Sequence, residues 1–342
     1  MQRPGPILVY SIYHSDIPRF RRLLAHALPD VPLHYAGCPE EAAPHADEAV
    51  ILYGWGFPPE LPQQMPKLRW LQKMGAGVDE IIERLPADVI LTRTAGKLIA
   101  PRMAEYVVAA ILDKTLRFDD ALTQQRRRHW EFFEIGSMRS LTVGVAGVGE
   151  IGSIVAQSLR ALGARVLGWL RSIQPSSAVD DLFAGTGALP RFLSACDVVV
   201  LVLPLTKDTT RLFGADLLGH CRPGAHIVNI GRGGLIDEEA LLGAIETKIV
   251  RHATSDVFAT EPLPPDHPFW DNPSVTITPH VCGPLVPEDI VRISWQITRR
   301  LRAGDRCKTS SIPSGNTDAR RSRGLDCERA GRAFSSTGGV TR

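Results

Sequence analysis

The chain has 342 residues, of which 44% are apolar and 22% are charged, and its formal net charge is +2. That length suffices for two domains with separate cores, and the composition is that of a globular protein. No apolar run approaches the roughly 18 residues that a membrane-spanning helix needs, so no membrane partner is expected.

Cysteine usage and the N-terminal sequence favour a cytoplasmic protein. The six cysteines, at positions 38, 196, 221, 282, 307 and 327, include no Cys-x-x-Cys pair, so neither a disulfide framework nor a zinc site is expected. No cluster of His, Asp and Glu has metal-ligand spacing either, which disfavours metal catalysis and predicts no bound metal. The stretch MQRPGPILVYSIYHSD lacks the apolar core of a signal peptide and predicts a first β-strand.

The first hundred residues predict a sheet covered by helices. Strand-like apolar runs alternate with an amphipathic stretch in the order ILVYSI, IPRFRRLLAHAL, VPLHYAG, AVILYGW, LRWLQKM and VILTRT. Alternation of this kind is typical of a parallel sheet with helices on both faces. A long helix is then predicted over residues 101–128, with Pro101 near its start, where a missing N–H costs nothing.

A second alternating series begins at Leu141 and indicates a second domain. It contains the strand-like runs LTVGVAG, RVLGWL, DVVVLVL, AHIVNI, RHATSDV and SVTIT, with the helical stretch EIGSIVAQSLRAL after the first run. Residues 288–302 have helical periodicity and are predicted to pack onto the first domain. The predicted fold is therefore α/β, with two doubly wound parallel sheets. Residues 1–99 with 288–302 are predicted to form a flavodoxin-like domain, and residues 100–287 are predicted to form a Rossmann-type domain.

The C-terminal tail differs from the rest in composition. Residues 303–342 carry eight Lys or Arg and four Asp or Glu, so the basic balance of the chain belongs to the tail. Few sizeable apolar side chains occur there, which leaves too little buried surface to offset the ordering entropy. The tail is predicted to be disordered, and its charge is attributed to a solvated end with no nucleic-acid partner.

A glycine motif lies between a predicted strand and a predicted helix. It reads Gly147-Val148-Gly149-Glu150-Ile151-Gly152. Alone, such a string is weak evidence, but these flanks are the ones that dinucleotide binding requires. The first glycine permits a tight turn, the second lets the backbone approach a pyrophosphate, and the third allows close helix–strand packing.

The end of the next strand predicts which nicotinamide cofactor is preferred. An acidic residue at this point would bind the 2′-hydroxyl of the adenosine ribose and repel a 2′-phosphate. Here Leu170 occupies the position, followed by Arg171 and Ser172. A guanidinium and a hydroxyl suit a phosphate dianion, so NADP(H) is predicted to be preferred, with NAD(H) still possible.

Three further segments contain candidate catalytic side chains at predicted strand ends. They are NIGRGGLIDEEAL, SDVFATEPLP and TPHVCG, which contain Arg232, Glu261 and His280. Reduction of a 2-oxo acid needs a cation for its oxygens and an acid for the developing alkoxide, and an arginine and a histidine match these needs. From the residues alone, Arg232 could instead cap a helix, Glu261 could form a surface pair, and His280 could be an ordinary buried histidine.

Together with the glycine motif, these segments make the chain resemble the D-isomer-specific 2-hydroxyacid dehydrogenase family. The resemblance covers roughly residues 50–302, and the segments KMGAGVDEI and LRS and the pair His129-Trp130 are similar to the glyoxylate/hydroxypyruvate reductase branch. It implies reduction of a small 2-oxo acid to the (R)-2-hydroxy acid by a cytoplasmic homodimer, with His280 as general acid, Glu261 as its partner and Arg232 on the substrate.

The resemblance also implies the remaining site residues. In the first domain, which the resemblance makes the substrate domain, the backbone N–H groups around Ala76 and Gly77 would bind the carboxylate, a role that a glycine nest suits. Apart from the resemblance, Trp55 and Trp130 could wall a small pocket, although aromatic residues are more often part of a core. The remaining implied cofactor contacts are Pro204 and Thr206, Ile230 and Gly231, and Asp256 at the nicotinamide carboxamide.

Two alternatives to this function remain open at this point. An enzyme of the same fold could act on a bulkier 2-oxo acid, on formate or on phosphite. A dinucleotide-sensing protein of corepressor type would keep the fold and use redox turnover little, although the presence of Arg232, Glu261 and His280 weighs against pure sensing.

Overall fold

The computed structural model describes residues 5–12, 17–82, 84–94, 96–172 and 174–283, together with residue 289 and the stretches 309–311 and 323–325. The chain divides into two compact units, residues 1–95 with 285–342 and residues 96–284. Each unit contains a parallel sheet with helices, which confirms the predicted α/β class. The substrate and cofactor roles of the units, and the predicted boundary between residues 99 and 100, stay predictions.

The first unit is built on five parallel strands in the order β2-β1-β3-β4-β5. This 2-1-3-4-5 order is the flavodoxin-like one. The strands and helices are β1 (Ile7–Ser11), α1 (Ile17–Ala27), β2 (Leu33–Ala36), α2 (Pro39–Ala46), β3 (Ile51–Trp55), β4 (Trp70–Lys73) and β5 (Ile90–Arg93).

The central strands of this sheet are buried on both faces. Leu8, Leu52 and Leu71, on β1, β3 and β4, have no exposed surface. A parallel strand covered on both sides carries apolar residues in succession, with no alternation of polar and apolar positions. That property explains why the apolar runs of the sequence predicted these strands.

The second unit contains seven parallel strands in the order β12-β11-β10-β9-β6-β7-β8. Six of them have the Rossmann order 3-2-1-4-5-6, and β12 extends the sheet. The strands are β6 (Thr142–Ala146), β7 (Arg165–Leu170), β8 (Asp181–Ala184), β9 (Val198–Leu201), β10 (Ala225–Asn229), β11 (Val250–Ser255) and β12 (Val275–Ile277). The helices are α3 (Gly96–Thr115), α4 (Phe118–Arg126), α5 (Glu150–Ala161), α6 (Leu189–Ser194), α7 (Ala215–Leu218) and α8 (Glu238–Glu246).

The prediction of one helix over residues 101–128 is wrong. The segment forms α3 and α4, separated at Arg117, whose φ of 56° is left-handed and ends the first helix. The helix α3 begins at Gly96, so Pro101 lies in its second turn and offers no N–H to the carbonyl of residue 97. The helix α3 continues past Pro101 without this hydrogen bond. The rule that places proline at the start of a helix therefore did not predict where α3 begins.

Two short elements, α2 and β8, are absent from the prediction. The four residues of β8 are exposed or half-buried, so they lack the apolar run that marks the other strands. The predicted helix 288–302 lies outside the described residues, apart from residue 289. The predicted disorder of residues 303–342 also falls outside them, except that β13 (Thr309–Ser311) and β14 (Arg323–Leu325) form an antiparallel pair. None of the described helices is long and apolar enough to cross a membrane.

A buried histidine and a half-buried histidine lie on neighbouring strands of the second sheet. The rings of His226 on β10 and His252 on β11 lie 6.1 Å apart, and Nε2 of His226 is 2.9 Å from Oγ1 of Thr254. Burial, reinforced by the nearby His252 and Lys114, lowers the pKa of His226 to about 3. Burial also lowers the pKa of His252, whose Nδ1 has no hydrogen-bond partner among the described residues.

We expect the second unit to lose stability in mild acid. The unfolded chain takes up a proton on His226 as the pH falls below about 6.5, whereas the folded chain does so only near pH 3, so the free energy of unfolding decreases across that window. One such group contributes about 1.4 kcal/mol between about pH 7.5 and about pH 5.5. His226→Gln should flatten the pH dependence of the thermal unfolding midpoint, and exposed His220→Gln should leave it unchanged. Equal slopes for wild type and both variants would contradict the assignment.

Candidate functional site

The glycine motif forms a tight turn between β6 and α5. Gly147 has a φ of 105°, and a Cβ at this position would lie 2.6 Å from the carbonyl oxygen of Val202. A Cβ at Gly152 would lie 1.9 Å from the carbonyl oxygen of Gly147, so the helix packs against the turn only because that residue is glycine. A Cβ at Gly149 would meet nothing within 4 Å, so this position opens toward solvent.

The open position lies at the first turn of α5. Gly149 is the N-cap residue in extended conformation, with no side-chain cap. The first N–H groups of a helix have no acceptor within it, and they attract an anion. The side chain of Glu150 accepts a hydrogen bond of 2.8 Å from the N–H of Gly96, so a contact of Glu150 or Ile151 with a cofactor would use the backbone.

The end of β7 contains the residues that were predicted to select the cofactor. Arg171 pairs with Asp208, with Nη1 and Oδ2 3.1 Å apart, and both side chains are exposed. Ser172 is exposed as well. An exposed ion pair contributes little, about 0–1 kcal/mol, so Arg171 can exchange Asp208 for another anion at low cost.

The loop after β9 is organised by Thr209, a residue that sequence reasoning missed. Its hydroxyl donates to the carbonyl oxygen of Pro204 at 2.7 Å and accepts from the N–H of Thr206 at 2.7 Å. The side chain therefore closes the loop that contains the two predicted cofactor residues. The only signal in the sequence was the run of threonines in LPLTKDTT, which does not tell which of them turns inward.

The turn after β10 positions Arg232. Buried Asn229, also missed, accepts from the N–H of Gly231 at 3.1 Å and donates to the carbonyl oxygen of Arg232 at 3.0 Å. Beyond it, a Cβ at Gly233 would lie 1.8 Å from the backbone of Phe258, so the chain passes that segment in direct contact. Arg232 is half-buried, and its Nη1 donates to the carbonyl oxygen of Gly231 at 2.7 Å.

Glu261 and His280 form a direct pair in the second unit. Oε2 of Glu261 lies 2.8 Å from Nδ1 of His280, and Oε1 accepts from the N–H of Phe258 at 2.9 Å. Burial raises the pKa of Glu261, but the hydrogen bonds from His280 and Phe258 and the charges of His280 and Arg232 lower it on balance. The carboxylate is thus held ionised against the imidazole, which sets the orientation of the ring.

The segment that contains His280 is fastened to Asp256. His280 has a left-handed φ of 53°, and its N–H donates to the carbonyl oxygen of Asp256 at 2.9 Å. The fully buried carboxylate of Asp256 accepts from the hydroxyl of Thr278 at 2.5 Å and from the N–H groups of Val281 and Cys282, each at 2.9 Å. These described contacts are all structural, and the predicted contact of Asp256 with nicotinamide stays a prediction.

Tyr106 extends this network to helix α3. Its hydroxyl lies 2.7 Å from Oγ1 of Thr278, and burial raises its pKa to about 12, so it stays protonated. Neither Tyr106 nor Thr278 was among the site residues that the sequence predicted. Because strands β6, β7, β9, β10, β11 and β12 are parallel, the segments that follow them lie along one edge of the sheet.

The predicted anion nest lies in the first unit, directly after β4. Arg93 donates from Nη1 to the carbonyl oxygen of Ala76 at 2.6 Å. In a trans peptide the C=O and the following N–H point in opposite directions, so the N–H of Gly77 points away from Arg93. The N–H of Gly77 would therefore face a carboxylate that lies on the side of the loop opposite Arg93.

Trp55 packs against the start of this nest. A Cβ at Gly75 would lie 2.1 Å from the indole, so only glycine fits there. The ammonium of Lys73, a nearly buried residue, lies 5.2 Å from the Trp55 ring, 4.9 Å from the Phe57 ring and 3.8 Å from the carboxylate of Glu80. Sequence reasoning did not single out Lys73, because burial of a lysine depends on contacts distant in the chain.

The suggestion that Trp130 walls a pocket is not supported within its own unit. Its side chain is 99% exposed, on an extended segment that follows α4. The side chain of Gln124 holds this segment through the backbone of Glu131, with hydrogen bonds of 2.9 and 3.1 Å. These bonds hold the backbone, and the indole projects outward.

Residues 108–282 match the NAD-binding domain of the D-isomer specific 2-hydroxyacid dehydrogenases. The chain is 36% identical to a glyoxylate/hydroxypyruvate reductase A of Serratia proteamaculans over 250 residues. This matched region covers 71% of this chain and 79% of the relative. The chain belongs to the D-isomer-specific 2-hydroxyacid dehydrogenase family. It is therefore an NAD(P)-dependent oxidoreductase, and the predicted family resemblance is confirmed.

Two solved structures support this assignment. A D-isomer specific 2-hydroxyacid dehydrogenase from Xanthobacter autotrophicus in complex with NADPH and MES is 31% identical, with a TM-score of 0.77 over 89% of this chain and 96% of that chain. An NADPH-dependent glyoxylate/hydroxypyruvate reductase from Sinorhizobium meliloti in complex with NADP and sulfate is 29% identical, with a TM-score of 0.78 over 88% and 96%.

The residues of this chain fit a nicotinamide dinucleotide. The open face at Gly149 leaves room for a pyrophosphate where a side chain would fill the space, and the helix start offers N–H groups to it. The segments after β7, β9 and β10 follow along the same edge of the sheet, where ligands of open α/β sheets bind.

Proposed function

We propose that the protein reduces a small 2-oxo acid of the glyoxylate or hydroxypyruvate type to the 2-hydroxy acid, of R configuration where the carbon is chiral, with NADPH. The pair of Glu261 and His280 carries this proposal, with its 2.8 Å contact and an ionised carboxylate. The name of the Serratia proteamaculans relative supports the substrate class.

In the proposed reaction His280 is the general acid. Its Nδ1 faces Glu261, so the proton that reaches the carbonyl oxygen of the substrate would come from Nε2. Glu261 would stabilise the imidazolium before transfer and hold the ring in place. A nicotinamide cofactor, when bound, would supply the hydride for the carbonyl carbon. Carbon gains the hydride and oxygen gains the proton, which balances the reduction.

The anionic part of the substrate needs separate recognition. Arg232 would offer a forked cation to the carboxylate and the carbonyl oxygen, which a lysine could not reproduce. The N–H groups around Ala76 and Gly77 are also proposed to bind a carboxylate, with Trp55 beside them. The orientation imposed by Arg93 on the Ala76–Gly77 peptide supports the nest assignment.

We expect His280→Asn to lower kcat by about 100-fold or more while leaving cofactor binding intact, because a positioned acid contributes about that much. Glu261→Gln should lower activity less, because the imidazole loses the carboxylate that orients its ring. Steady-state kinetics with glyoxylate and hydroxypyruvate, and cofactor binding by fluorescence, would measure both effects.

Exposed His220→Asn is the matched control for this experiment and should behave as wild type. A His280→Asn enzyme with near wild-type turnover would refute the proposed acid. Cofactor binding by the wild-type chain without turnover of any 2-oxo acid would favour the sensing alternative.

The preference for NADPH is proposed from the end of β7. Leu170 removes the repulsion that a carboxylate would exert on a 2′-phosphate, and Arg171 and Ser172 can donate to that phosphate. The competing partner of Arg171, Asp208, is exposed and therefore easily displaced. A charge-assisted hydrogen bond contributes roughly 1.5–3 kcal/mol, which corresponds to about 10- to 100-fold in affinity.

We expect the wild-type kcat/KM to be about 10- to 100-fold higher with NADPH than with NADH. The double variant Leu170→Asp with Arg171→Ala should reverse the preference, through new repulsion as well as lost attraction. Arg165→Ala is the control, because Arg165 begins the same strand, is exposed and also pairs with an aspartate, Asp181. Higher wild-type efficiency with NADH would overturn the proposal.

We also propose that the enzyme is a homodimer. The residues 129–136 form an extended arm, on which Trp130 and Phe132 are 99% and 87% exposed and Ile135 is exposed as well. Exposed apolar side chains in such proximity are typical of an interaction surface. A second copy of the chain is the proposed partner, and the anchoring of the arm through Gln124 supports a preformed surface.

Sedimentation of the wild-type chain should give a dimer at micromolar concentration. Trp130→Ser combined with Phe132→Ser should shift it to a monomer of unchanged circular dichroism, because about two large apolar contacts per subunit are lost. The control is Leu162→Ser, an exposed apolar residue at the end of α5. A wild-type monomer, or a double variant that remains dimeric, would contradict the proposal.

We infer a cytoplasmic location, as predicted. The cysteines at positions 38, 196, 221 and 282 are free thiols, and burial raises the pKa of Cys196 to about 12 and that of Cys221 to about 11. Cysteines that are free of disulfides are typical of a reducing compartment.

A further inference from the structure

Two histidines and a glutamate meet at the edge of the first unit. His34 lies on β2, His45 lies in the last turn of α2, and Glu48 follows three residues later. Oε1 of Glu48 lies 3.1 Å from Nε2 of His34 and 3.7 Å from Nδ1 of His45. One carboxylate oxygen thus faces nitrogen atoms of two imidazoles.

The fold brings these side chains together across a short connection. The N–H of Gly37 donates to the carboxylate of Glu41 at 2.7 Å, which fastens α2 to the end of β2. The helix then runs back along the strand, and the rings of His34 and His45 stack with centroids 4.0 Å apart and an interplanar angle of 17°. Eleven positions separate the two histidines in the sequence, so local spacing did not indicate this cluster.

The chemistry of the three groups matches a particular class of ion. One ligand atom from each residue lies within 4.8 Å of the other two. Two imidazoles and a carboxylate with an open fourth position are a common ligand set for Zn²⁺. Imidazole nitrogens suit Zn²⁺, Ni²⁺ and Cu²⁺, whereas Mg²⁺ and Ca²⁺ prefer oxygen atoms.

Ion binding would require a modest rearrangement. Ligand atoms around a tetrahedral Zn²⁺ are roughly 3.3–3.5 Å apart, because metal–ligand distances are about 2.0–2.2 Å. A metal lies near the plane of each ring that it binds, so the stacked imidazoles would rotate apart. The side chains of His34, His45 and Glu48 are 24%, 31% and 49% exposed, which leaves them room to turn and keeps the site open to solvent.

We propose that His34, His45 and Glu48 form a binding site for a divalent transition-metal ion of the Zn²⁺ class. The ion replaces the contact between the carboxylate and two imidazoles with three metal bonds and one bound water. It links the end of α2 to β2 and thereby stabilises the folded first unit, because the ligands come together only when that unit is folded. This site is separate from the proposed reduction chemistry.

The test uses zinc chloride and the full chain without an affinity tag. Calorimetry at about pH 7.5 should detect one site that disappears in His34→Ala with His45→Ala and weakens at least about tenfold in Glu48→Gln. His26→Ala is the matched control, because His26 is an exposed histidine of the same unit, and it should bind as wild type. Zinc should raise the melting temperature of wild type by several degrees and leave that of the double variant unchanged.

Two further measurements make the ligand set specific. Zinc affinity should fall by at least about tenfold between about pH 7.5 and about pH 5.5, because imidazoles must lose a proton to bind a metal. The near-ultraviolet absorption spectrum of the Co²⁺ form should lack thiolate charge-transfer bands. Such bands, unchanged binding by the double variant, or no binding by a folded wild-type chain would each overturn the proposal.

Discussion

Asp256 accepts four hydrogen bonds from the segment 278–282. Its buried carboxylate accepts three of them, and its backbone carbonyl accepts the fourth from the N–H of His280. A buried carboxylate is costly unless such partners satisfy it, so this segment cannot move away without leaving a charge unpaired. The left-handed φ of His280 is maintained by the same contacts. The position of His280, the proposed acid, against Glu261 therefore depends on the hydrogen bonds that Asp256 makes with this segment.

Around this interaction, the parallel sheet determines which residues share a neighbourhood. Six strands of the second unit end at one edge, and each contributes a short segment there. Glycine at positions 147, 152 and 233 allows these segments to approach one another closely. Asn229 and Thr209 close the turns with their side chains. These packing contacts and hydrogen bonds shape the backbone segments that contain the charged residues Arg232 and Glu261.

Charge at the two ends of the proposed cofactor site has different consequences. Near His280, the carboxylate of Glu261 is kept ionised by hydrogen bonds and neighbouring cations, in spite of partial desolvation. At the end of β7, Arg171 and Asp208 are exposed, so their pairing is weak and exchangeable. The first arrangement suits a permanent catalytic geometry, and the second suits an anion that arrives with a ligand. The buried His226 and the half-buried His252 follow the opposite rule, because burial lowers the pKa of both side chains and disfavours their protonated forms.

The sequence by itself determined the α/β class, the strands with continuous apolar runs, the glycine turn and the family, because each depends on residues close together in the chain. The family resemblance implied the pairing of Glu261 with His280, and the tertiary structure supplied its geometry. Tertiary structure alone decided the role of Asp256 as an anchor and the burial of Lys73 beside two aromatic rings. It also ended α3 at Arg117, where local patterns predicted a longer helix, and it left Trp130 exposed. The cluster of His34, His45 and Glu48 was likewise decided by the tertiary structure alone. Hydrophobic periodicity and turn preferences are local, whereas hydrogen-bond partners and burial depend on which strands and helices meet in the folded chain.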